Sequence, residues 1–266
     1  MRVLALDTTT RGGSVAIAED GRLVFERMGD GARSHAERLP AELLDALHEV
    51  GWSFSDIDLF AVASGPGSFT GLRIGIATMQ GLAFVQGRRV AAVSALRALA
   101  EAAATGAPAG TRVGSWMDAS RREVFSALYD VASAPGTDTV TLTEVESPTS
   151  SPPASTVERW VALGLPNSLC GDGAVKYASL VPTSVRILPP PALASIVARL
   201  AFVQHAAGDT RTPAGVQPLY VRRPDVEIVR EATSREARPR PSSTWLNGSP
   251  RESPLSRLSG SAGRST

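Results

Sequence analysis

The chain reads Gly65-Pro66-Gly67-Ser68-Phe69-Thr70-Gly71-Leu72-Arg73-Ile74-Gly75 between an apolar run at 59–63 and a segment of helical character at 72–86. The apolar run predicts a buried strand, so these glycines fall between a strand and a helix. Such glycines let the backbone turn tightly and point amide groups outward, where they could hold an anion at the helix N-terminus. No lysine follows the last glycine, and the spacing is not that of a dinucleotide loop. A structural turn and a ligand loop therefore both stay open.

Three strands and a helix are predicted before this stretch. Short apolar runs separated by turn residues indicate strands at 2–6, 14–18 and 23–27. Ser34 and Glu37 have the spacing of a capping box, which predicts a helix over 34–50. Pro40 would remove one backbone hydrogen bond from that helix. Either the first turn is kinked, or the regular helix begins at Pro40.

The region after the glycine-rich stretch completes a recognisable unit. A strand at 90–93 and an Ala-rich helix at 96–104 give the order β-β-β-α-β-α-β, which is close to a ribonuclease-H-like unit. A linker at 105–110 then separates this first lobe, residues 1–104, from a second lobe, residues 105–231. The expected fold class is therefore α/β with two lobes.

The second lobe carries weaker signals. A hairpin is predicted from strands at 113–118 and 123–129, and the Ser/Pro-rich segment 147–155 is predicted to be a loop. Asp118 and Arg121 flank the hairpin turn. They could form part of a functional site, or they could form a salt bridge that stabilises the turn. Gly171-Asp172-Gly173 indicates a turn after a strand, and an amphipathic helix is predicted over 192–205.

Composition changes after residue 231. Nine serines, four prolines and six arginines occupy residues 232–266, where apolar residues are scarce. Such a segment cannot bury enough surface to offset its ordering entropy. The sequence therefore predicts a disordered tail.

Charge and cysteine content exclude several classes of protein. The formal net charge of +1 gives no sign of a polyanion-binding surface, and Cys170 is the only cysteine, so no intrachain disulfide or cysteine-based metal cage can form. The first apolar run is too short for a signal peptide, and no apolar stretch approaches the length of a membrane span. We expect a soluble cytoplasmic protein that does not bind a membrane.

Asp7 and the threonines that follow it are a second candidate site. In actin-like phosphotransferases an Asp-x-Gly-Thr loop at the end of the first strand grips phosphate, but here Thr9 stands where that loop has glycine. Its side chain would crowd a phosphate, so a threonine-lined turn capped by Asp7 is the alternative. Together with the glycine-rich stretch, the candidate anion or nucleotide loop comprises Asp7, Thr8, Thr9, Gly65, Gly67 and Ser68.

The histidines do not form a metal-binding pattern. His35 and His48 are 13 residues apart, on different sides of the predicted helix, and His205 stands alone. We expect each histidine to be a surface or capping residue, and we expect neither a metal nor another cofactor.

Taken together, these segments resemble the bacterial TsaB (YeaZ) family of tRNA threonylcarbamoyladenosine biosynthesis proteins, which belongs to the ASKHA superfamily. The resemblance covers about residues 1–231, and the eleven-residue stretch 65–75 matches the family signature in full. The other matching segments are 3–10, 34–39, 118–125, 171–173 and 218–222.

The resemblance implies an actin-like fold of two ribonuclease-H-like lobes and a non-catalytic role. Such a subunit binds and activates a TsaD-type transferase, works with a TsaE-type ATPase, and reaches adenosine 37 of tRNA only through the complex. TsaD-type proteins carry a metal-binding His-x-x-x-His, whereas the position four beyond His35 is Leu39 here. The competing functions are an ASKHA-type ATPase or phosphotransferase acting alone, and a catalytic TsaD-type transferase or peptidase.

The resemblance also implies that the helices near 34–50 and 72–86 join an equivalent pair in the transferase, or pair two copies of this chain in a homodimer. Gly71 and Gly75 have a small-x-x-x-small spacing that lets another helix approach, although the packing could be internal to the lobe. The predicted interface residues are Leu39, Leu43, Leu47, Gly71, Leu72, Gly75 and Met79.

Overall fold

The computed structural model describes residues 1–133 and 140–222. These residues form two sheets, and the first sheet has five strands. Their order across the sheet is β3-β2-β1-β4-β5. The first three strands form an antiparallel meander, and β4 and β5 run parallel to β1. Their bounds are Arg2–Asp7 (β1), Ser14–Glu19 (β2), Arg22–Met28 (β3), Leu59–Gly65 (β4) and Arg89–Ser94 (β5).

The second sheet repeats this scheme. Its order is β10-β9-β6-β7-β8, with β6, β7 and β8 antiparallel and with β9 and β10 parallel to β6. The repeated order confirms an α/β fold of two related, ribonuclease-H-like lobes. The bounds are Arg112–Asp118 (β6), Val124–Ser133 (β7), Val140–Ser151 (β8), Ser168–Cys170 (β9) and Arg186–Leu188 (β10).

Helices cover both faces of each sheet. One apolar cluster joins α1 and α2 to the outer face of the first sheet, and another joins α4 and α5 to the outer face of the second. A third cluster lies between the sheets, where α3 packs on the second sheet and α6 on the first. The bounds are His35–Glu49 (α1), Phe69–Val85 (α2), Ala95–Ala103 (α3), Pro153–Leu163 (α4), Asp172–Lys176 (α5) and Ala194–Ala206 (α6).

The structure shows where the helix α1 begins. It begins at His35, with Ser34 as its N-cap, and the Ser34 N–H donates to Glu37 Oε2 at 3.0 Å. Pro40 lies inside the helix and is exposed, so the regular helix does not begin there. The predicted capping box is confirmed, because the structure holds Glu37 against the N-cap backbone.

The prediction of a loop at 147–155 is wrong. Residues up to Ser151 belong to β8, and Pro153 begins α4. Proline is tolerated on an edge strand, and β8 lies at the edge of its sheet with Pro148 inside it. Pairing with the long strand β7 thus overrides the low strand propensity of the serines and the proline.

Two predictions, the disordered tail and the exact lobe boundaries, are not tested by the described residues. The predicted tail 232–266 and the last residues of the predicted second lobe lie outside the described residues. The lobe boundary at 104/105 falls between α3 and β6 and stays a prediction. None of the helices in the described ranges combines the length and apolar character needed to cross a bilayer.

Candidate functional site

The two candidate loops of the first lobe touch each other. Because β1 and β4 are parallel neighbours, their carboxyl ends lie at one edge of the sheet, which brings Thr8 and Thr9 against the glycine-rich stretch. The Ser68 N–H donates to Thr9 O at 2.8 Å, and Thr8 Oγ1 donates to Gly71 O at 2.8 Å. All six residues of the candidate anion loop therefore belong to one local assembly.

The glycines of this assembly make room for the chain's own first loop. A Cβ on Gly67 would lie 2.6 Å from Thr9 Cβ, and one on Gly71 or Gly75 would overlap Thr8. Gly65 has a φ of +117° at the end of β4, a conformation that glycine adopts most readily. The small-x-x-x-small pair, Gly71 and Gly75, thus serves packing inside the lobe rather than the approach of a separate helix.

Asp7 is buried at the centre of the same assembly. Its Oδ1 accepts the Thr9 N–H at 2.8 Å and the Thr9 hydroxyl at 2.6 Å. Burial raises the pKa of Asp7 above its usual value, and the two hydrogen bonds from Thr9 offset part of that rise. This geometry favours the structural-turn interpretation, because Thr9 uses the carboxylate and fills the space beside Gly67. The binding of an anion here stays a prediction.

A buried guanidinium holds the loop after β1. Arg38, on α1, donates to the carbonyls of Arg11 and Gly12, and its Nη1 lies 2.6 Å from Glu42. Its Nη2 also lies 2.7 Å from Nδ1 of His35, whose Nε2 lies 2.9 Å from Thr10 O. Since a carbonyl only accepts, Nε2 must carry the proton and Nδ1 must accept from Arg38.

This arrangement corrects one expectation and adds one residue. His35 is buried, so the prediction that it is a surface or capping residue is wrong, whereas His48 and His205 are exposed as expected. Sequence reasoning missed Arg38. Its signal was the spacing Arg38–Glu42, four residues apart on one helix, beside a face of buried leucines.

The position that a His-x-x-x-His motif would need is part of the core. Leu39 packs in the apolar cluster between α1 and the first sheet. Within residues 1–133 and 140–222, no group of three or more His, Cys, Asp or Glu side chains is placed to hold a metal ion.

The structure buries every predicted interface residue. Leu39, Leu43, Leu47, Gly71, Leu72, Gly75 and Met79 all lie beneath the surface of α1 and α2. The solvent-facing sides of the same helices are presented by Pro40, Ala41, Leu44, Ala77, Gly81 and Phe84, which we call the outer helix face. That these two helices bind a partner stays a prediction, and the seven buried residues lie beneath the surface that would make the contact.

The hairpin turn between β6 and β7 is the counterpart of the first lobe's loop. Its residues Ser120, Arg121 and Arg122 have φ of 59°, 51° and 62°, so three consecutive non-glycine residues adopt the left-handed conformation. Asp118, at the base of the turn, forms an ion pair with Lys176 at 2.6 Å. Its N–H donates to Asp172 Oδ1 at 3.1 Å, because Gly171-Asp172-Gly173 ends β9 and begins α5 beside it.

The segment 218–222 links this turn to the first lobe. The Leu219 N–H donates to Ser64 O at 2.7 Å. Arg222 donates to Glu123 Oε2 at 2.9 Å and to Ala119 O at 3.1 Å, on the two sides of the turn. The pKa of Glu123 is lowered by its hydrogen bond from Ser150 and by Arg222.

Comparisons with known proteins agree with this architecture. The family model described as "TsaD: tRNA N6-adenosine threonylcarbamoyltransferase" matches residues 29–160. The Escherichia coli (strain K12) tRNA threonylcarbamoyladenosine biosynthesis protein TsaB is 41% identical over 133 residues, which are 48% of this chain and 55% of that protein. The match thus spans about half the length of that relative.

Two further similarities extend over most of the chain. An uncharacterized protein of Mycobacterium tuberculosis (strain ATCC 25618 / H37Rv) is 32% identical over 230 residues, covering 85% of this chain and 93% of that protein. The solved structure of YeaZ from Pseudomonas aeruginosa superposes with a TM-score of 0.69 at 32% identity, covering 82% of this chain and 99% of that one.

Proposed function

Since the chain belongs to the TsaB/YeaZ family, we propose that it acts in forming N6-threonylcarbamoyladenosine at position 37 of tRNA, as a non-catalytic subunit that binds and activates a TsaD-type transferase. The observation that carries this proposal is the similarity to YeaZ over 99% of that chain. The proposal places the work of the complex in the cytoplasm, together with a TsaE-type ATPase.

The state of the first-lobe loop supports a non-catalytic role. Thr9 packs against Gly67 and donates both its N–H and its hydroxyl to Asp7. A phosphate at this loop would have to displace that side chain and break those hydrogen bonds. This geometry disfavours the alternative of an ATPase or phosphotransferase acting alone.

The outer helix face supports the binding of a partner through α1 and α2. Leu44 and Phe84 are 57% and 78% exposed, although both are large and apolar. Ala77 and Gly81 lie on the same side of α2 as Phe84, and a Cβ on Gly81 would meet nothing within 4 Å. Small side chains beside large exposed apolar ones let a helix pack closely and bury them.

A hollow beside Leu44 adds a place for a partner's side chain. It has a volume of about 430 Å³, and its apolar walls come from Leu44, Leu47, Trp52 and Phe54. Anchors that fill pockets contribute much of the binding energy at protein interfaces. A helix pair of the transferase that covers the outer helix face and this hollow would bury an interface of roughly the standard 1,600 Å². The same face would pair two copies of the chain when the transferase is missing.

The test is a reconstitution in which one protein is omitted at a time. The full chain, the TsaD-type and TsaE-type proteins of the same cell, and a tRNA transcript with adenosine at position 37 are incubated with a threonylcarbamoyl donor. Modified nucleoside is then measured by mass spectrometry. We expect product only when the chain and the transferase are both present, and none from the chain alone. Product formed by the chain alone, or undiminished product without it, would refute the proposal.

A further inference from the structure

One exposed surface gathers arginine and aromatic side chains that lie far apart in the sequence. It consists of Phe69 and Arg73 at the start of α2, Tyr220 in the segment 218–222, and Arg121 and Arg122 in the β6–β7 turn. We call this set the arginine–tyrosine surface. Arg222, two residues beyond Tyr220, donates to both sides of the turn and so ties the segment 218–222 to it.

Tyr220 is held in a fixed orientation at one end of this surface. Its ring stacks on Phe69 with a centroid distance of 5.7 Å, and its hydroxyl accepts from Arg73 Nε at 3.1 Å. The Arg73 guanidinium also lies 3.8 Å from the centre of the Phe69 ring. Even so, 39% of Tyr220 stays exposed, which makes it a rigid aromatic platform.

The turn at the other end presents Arg121 and Arg122 in a conformation that costs energy. The left-handed region is unfavourable for a non-glycine residue, and here three residues adopt it in succession. The structure maintains the turn through Arg222 and through the ion pair between Asp118 and Lys176. Strain that the surroundings enforce is concentrated at functional sites.

Several basic side chains lie in this region. The basic side chains there are Arg73, Arg121, Arg122, Lys176 and Arg222. Among the described residues, Asp118 pairs with Lys176, Asp172 accepts the Asp118 N–H, and Glu123 accepts from Arg222 and Ser150. Exposed guanidinium groups beside an aromatic platform fit the phosphates and an unpaired base of RNA.

We infer that the arginine–tyrosine surface binds the tRNA substrate directly, with Arg121 and Arg122 on backbone phosphates and Tyr220 stacked on an unpaired base. The identity of the RNA rests on the proposed function. The placement of the contacts rests on this chain's own side chains. The net charge of +1 does not reveal this surface, because its arginines come from three segments that are separate in the sequence.

The test measures the affinity of the reconstituted complex for a fluorescently labelled, unmodified tRNA transcript at several salt concentrations. The first variant is the double substitution Arg121→Gln with Arg122→Gln, and the second is Tyr220→Leu. The matched control is Arg186→Gln, an exposed arginine on β10. Melting temperature and co-purification with the transferase are recorded for each variant, and the chain is also titrated alone.

We expect the double variant to raise Kd about tenfold and to lower the slope of log Kd against log salt by about one to two, since each phosphate contact contributes nearly one to that slope. Loss of the Tyr220 platform should raise Kd at least about fivefold. The control should change neither quantity. Unchanged Kd and salt slope in both variants would overturn the inference.

Two further outcomes are informative. Loss of co-purification by Tyr220→Leu with normal tRNA binding by the chain alone would identify the surface as a protein interface, which also overturns the inference. If the wild-type chain does not bind the transferase, the proposed function fails, and binding of tRNA by the chain alone then decides this inference separately.

Discussion

The two lobes share one strand order but differ in the loops and helices built on it. Each lobe has a glycine with positive φ at the end of its fourth strand, Gly65 in the first and Gly171 in the second. In the first lobe a 17-residue helix follows that glycine, whereas in the second a helix of five residues follows it. The first lobe therefore offers a long outer helix face, and the second lobe does not offer an equivalent through α5.

The loop between the first two strands of each lobe also differs, in whether it packs inward or is exposed. The loop after β1 is packed inward, with Thr8 and Thr9 against glycines and Arg38 buried across its carbonyls. The turn after β6 points outward and exposes Ser120, Arg121 and Arg122. In a duplicated fold, one copy of a loop can therefore pack inward while the other copy stays exposed.

The largest expected effect is on the clamp of the inward loop. Arg38→Met removes a buried guanidinium and leaves Glu42 and two carbonyls without their donor, which should lower the free energy of unfolding by about 3–5 kcal/mol. The corresponding change in the second lobe, Arg222→Met, removes a part-exposed clamp and should lower it by only about 1 kcal/mol. Urea denaturation of both variants gives the two values. Equal losses would show that the loops are held alike.

The next effect concerns two glycines on opposite sides of α2. Gly75→Ala places a Cβ against Thr8, which is fully buried, and should lower the free energy of unfolding by about 1–3 kcal/mol. Gly81→Ala places one in open space on an exposed helix and should raise it by about 1 kcal/mol. Thermal and urea unfolding measure both. A Gly75→Ala protein as stable as wild type would mean that the first loop packs less tightly than described.

A smaller effect is expected in the pH dependence, with opposite signs in the two lobes. The pKa of Asp7 is raised by burial, so the stability that this group contributes is present below the usual carboxyl pKa and is lost as pH rises through the folded value. Asp7→Asn, which keeps an oxygen for Thr9, should therefore gain stability relative to wild type as pH rises above the usual carboxyl pKa.

Glu123 provides the opposite case. Its pKa is lowered, so its contribution is present above the usual carboxyl pKa and is lost as pH falls through the folded value. Glu123→Gln should therefore lose stability relative to wild type near neutral pH, and the difference should vanish at low pH. Urea titrations at several pH values test both carboxyls. If the two variants changed stability in the same direction as pH rises, the opposite behaviour expected of Asp7 and Glu123 would be contradicted.

Much of this fold was predictable because local patterns and tertiary packing agree. Alternating or continuous apolar runs located β1 to β7, and the capping box located α1. The sequence did not predict β8 or α4, because the edge position of β8 and the N-terminal position of Pro153 in α4 become clear only once β7 is paired. Serine and proline at 147–155 have the composition of a loop, and tertiary pairing decides otherwise.

The site was predictable in its parts but not in its assembly. Both first-lobe loops were identifiable, and the parallel pairing of β1 with β4 was needed to show that they meet. The outer helix face was missed because apolar and small residues occur around most of α2, so periodicity could not tell which residues the sheet buries. Gly75 was therefore assigned to the surface, where Gly81 in fact lies.

Partner binding through α1 and α2 is tested most directly by the affinity of the full chain for the TsaD-type transferase of the same cell, measured by titration calorimetry. The test variant is Gly81→Arg, because that position is open and exposed. The matched control is Val161→Arg, on an exposed position of α4 in the second lobe. Both variants should melt within a few degrees of wild type. We predict that Gly81→Arg raises Kd at least about 30-fold while Val161→Arg leaves it unchanged. Wild-type affinity of a folded Gly81→Arg protein would contradict the assignment of α1 and α2 as the partner-binding helices.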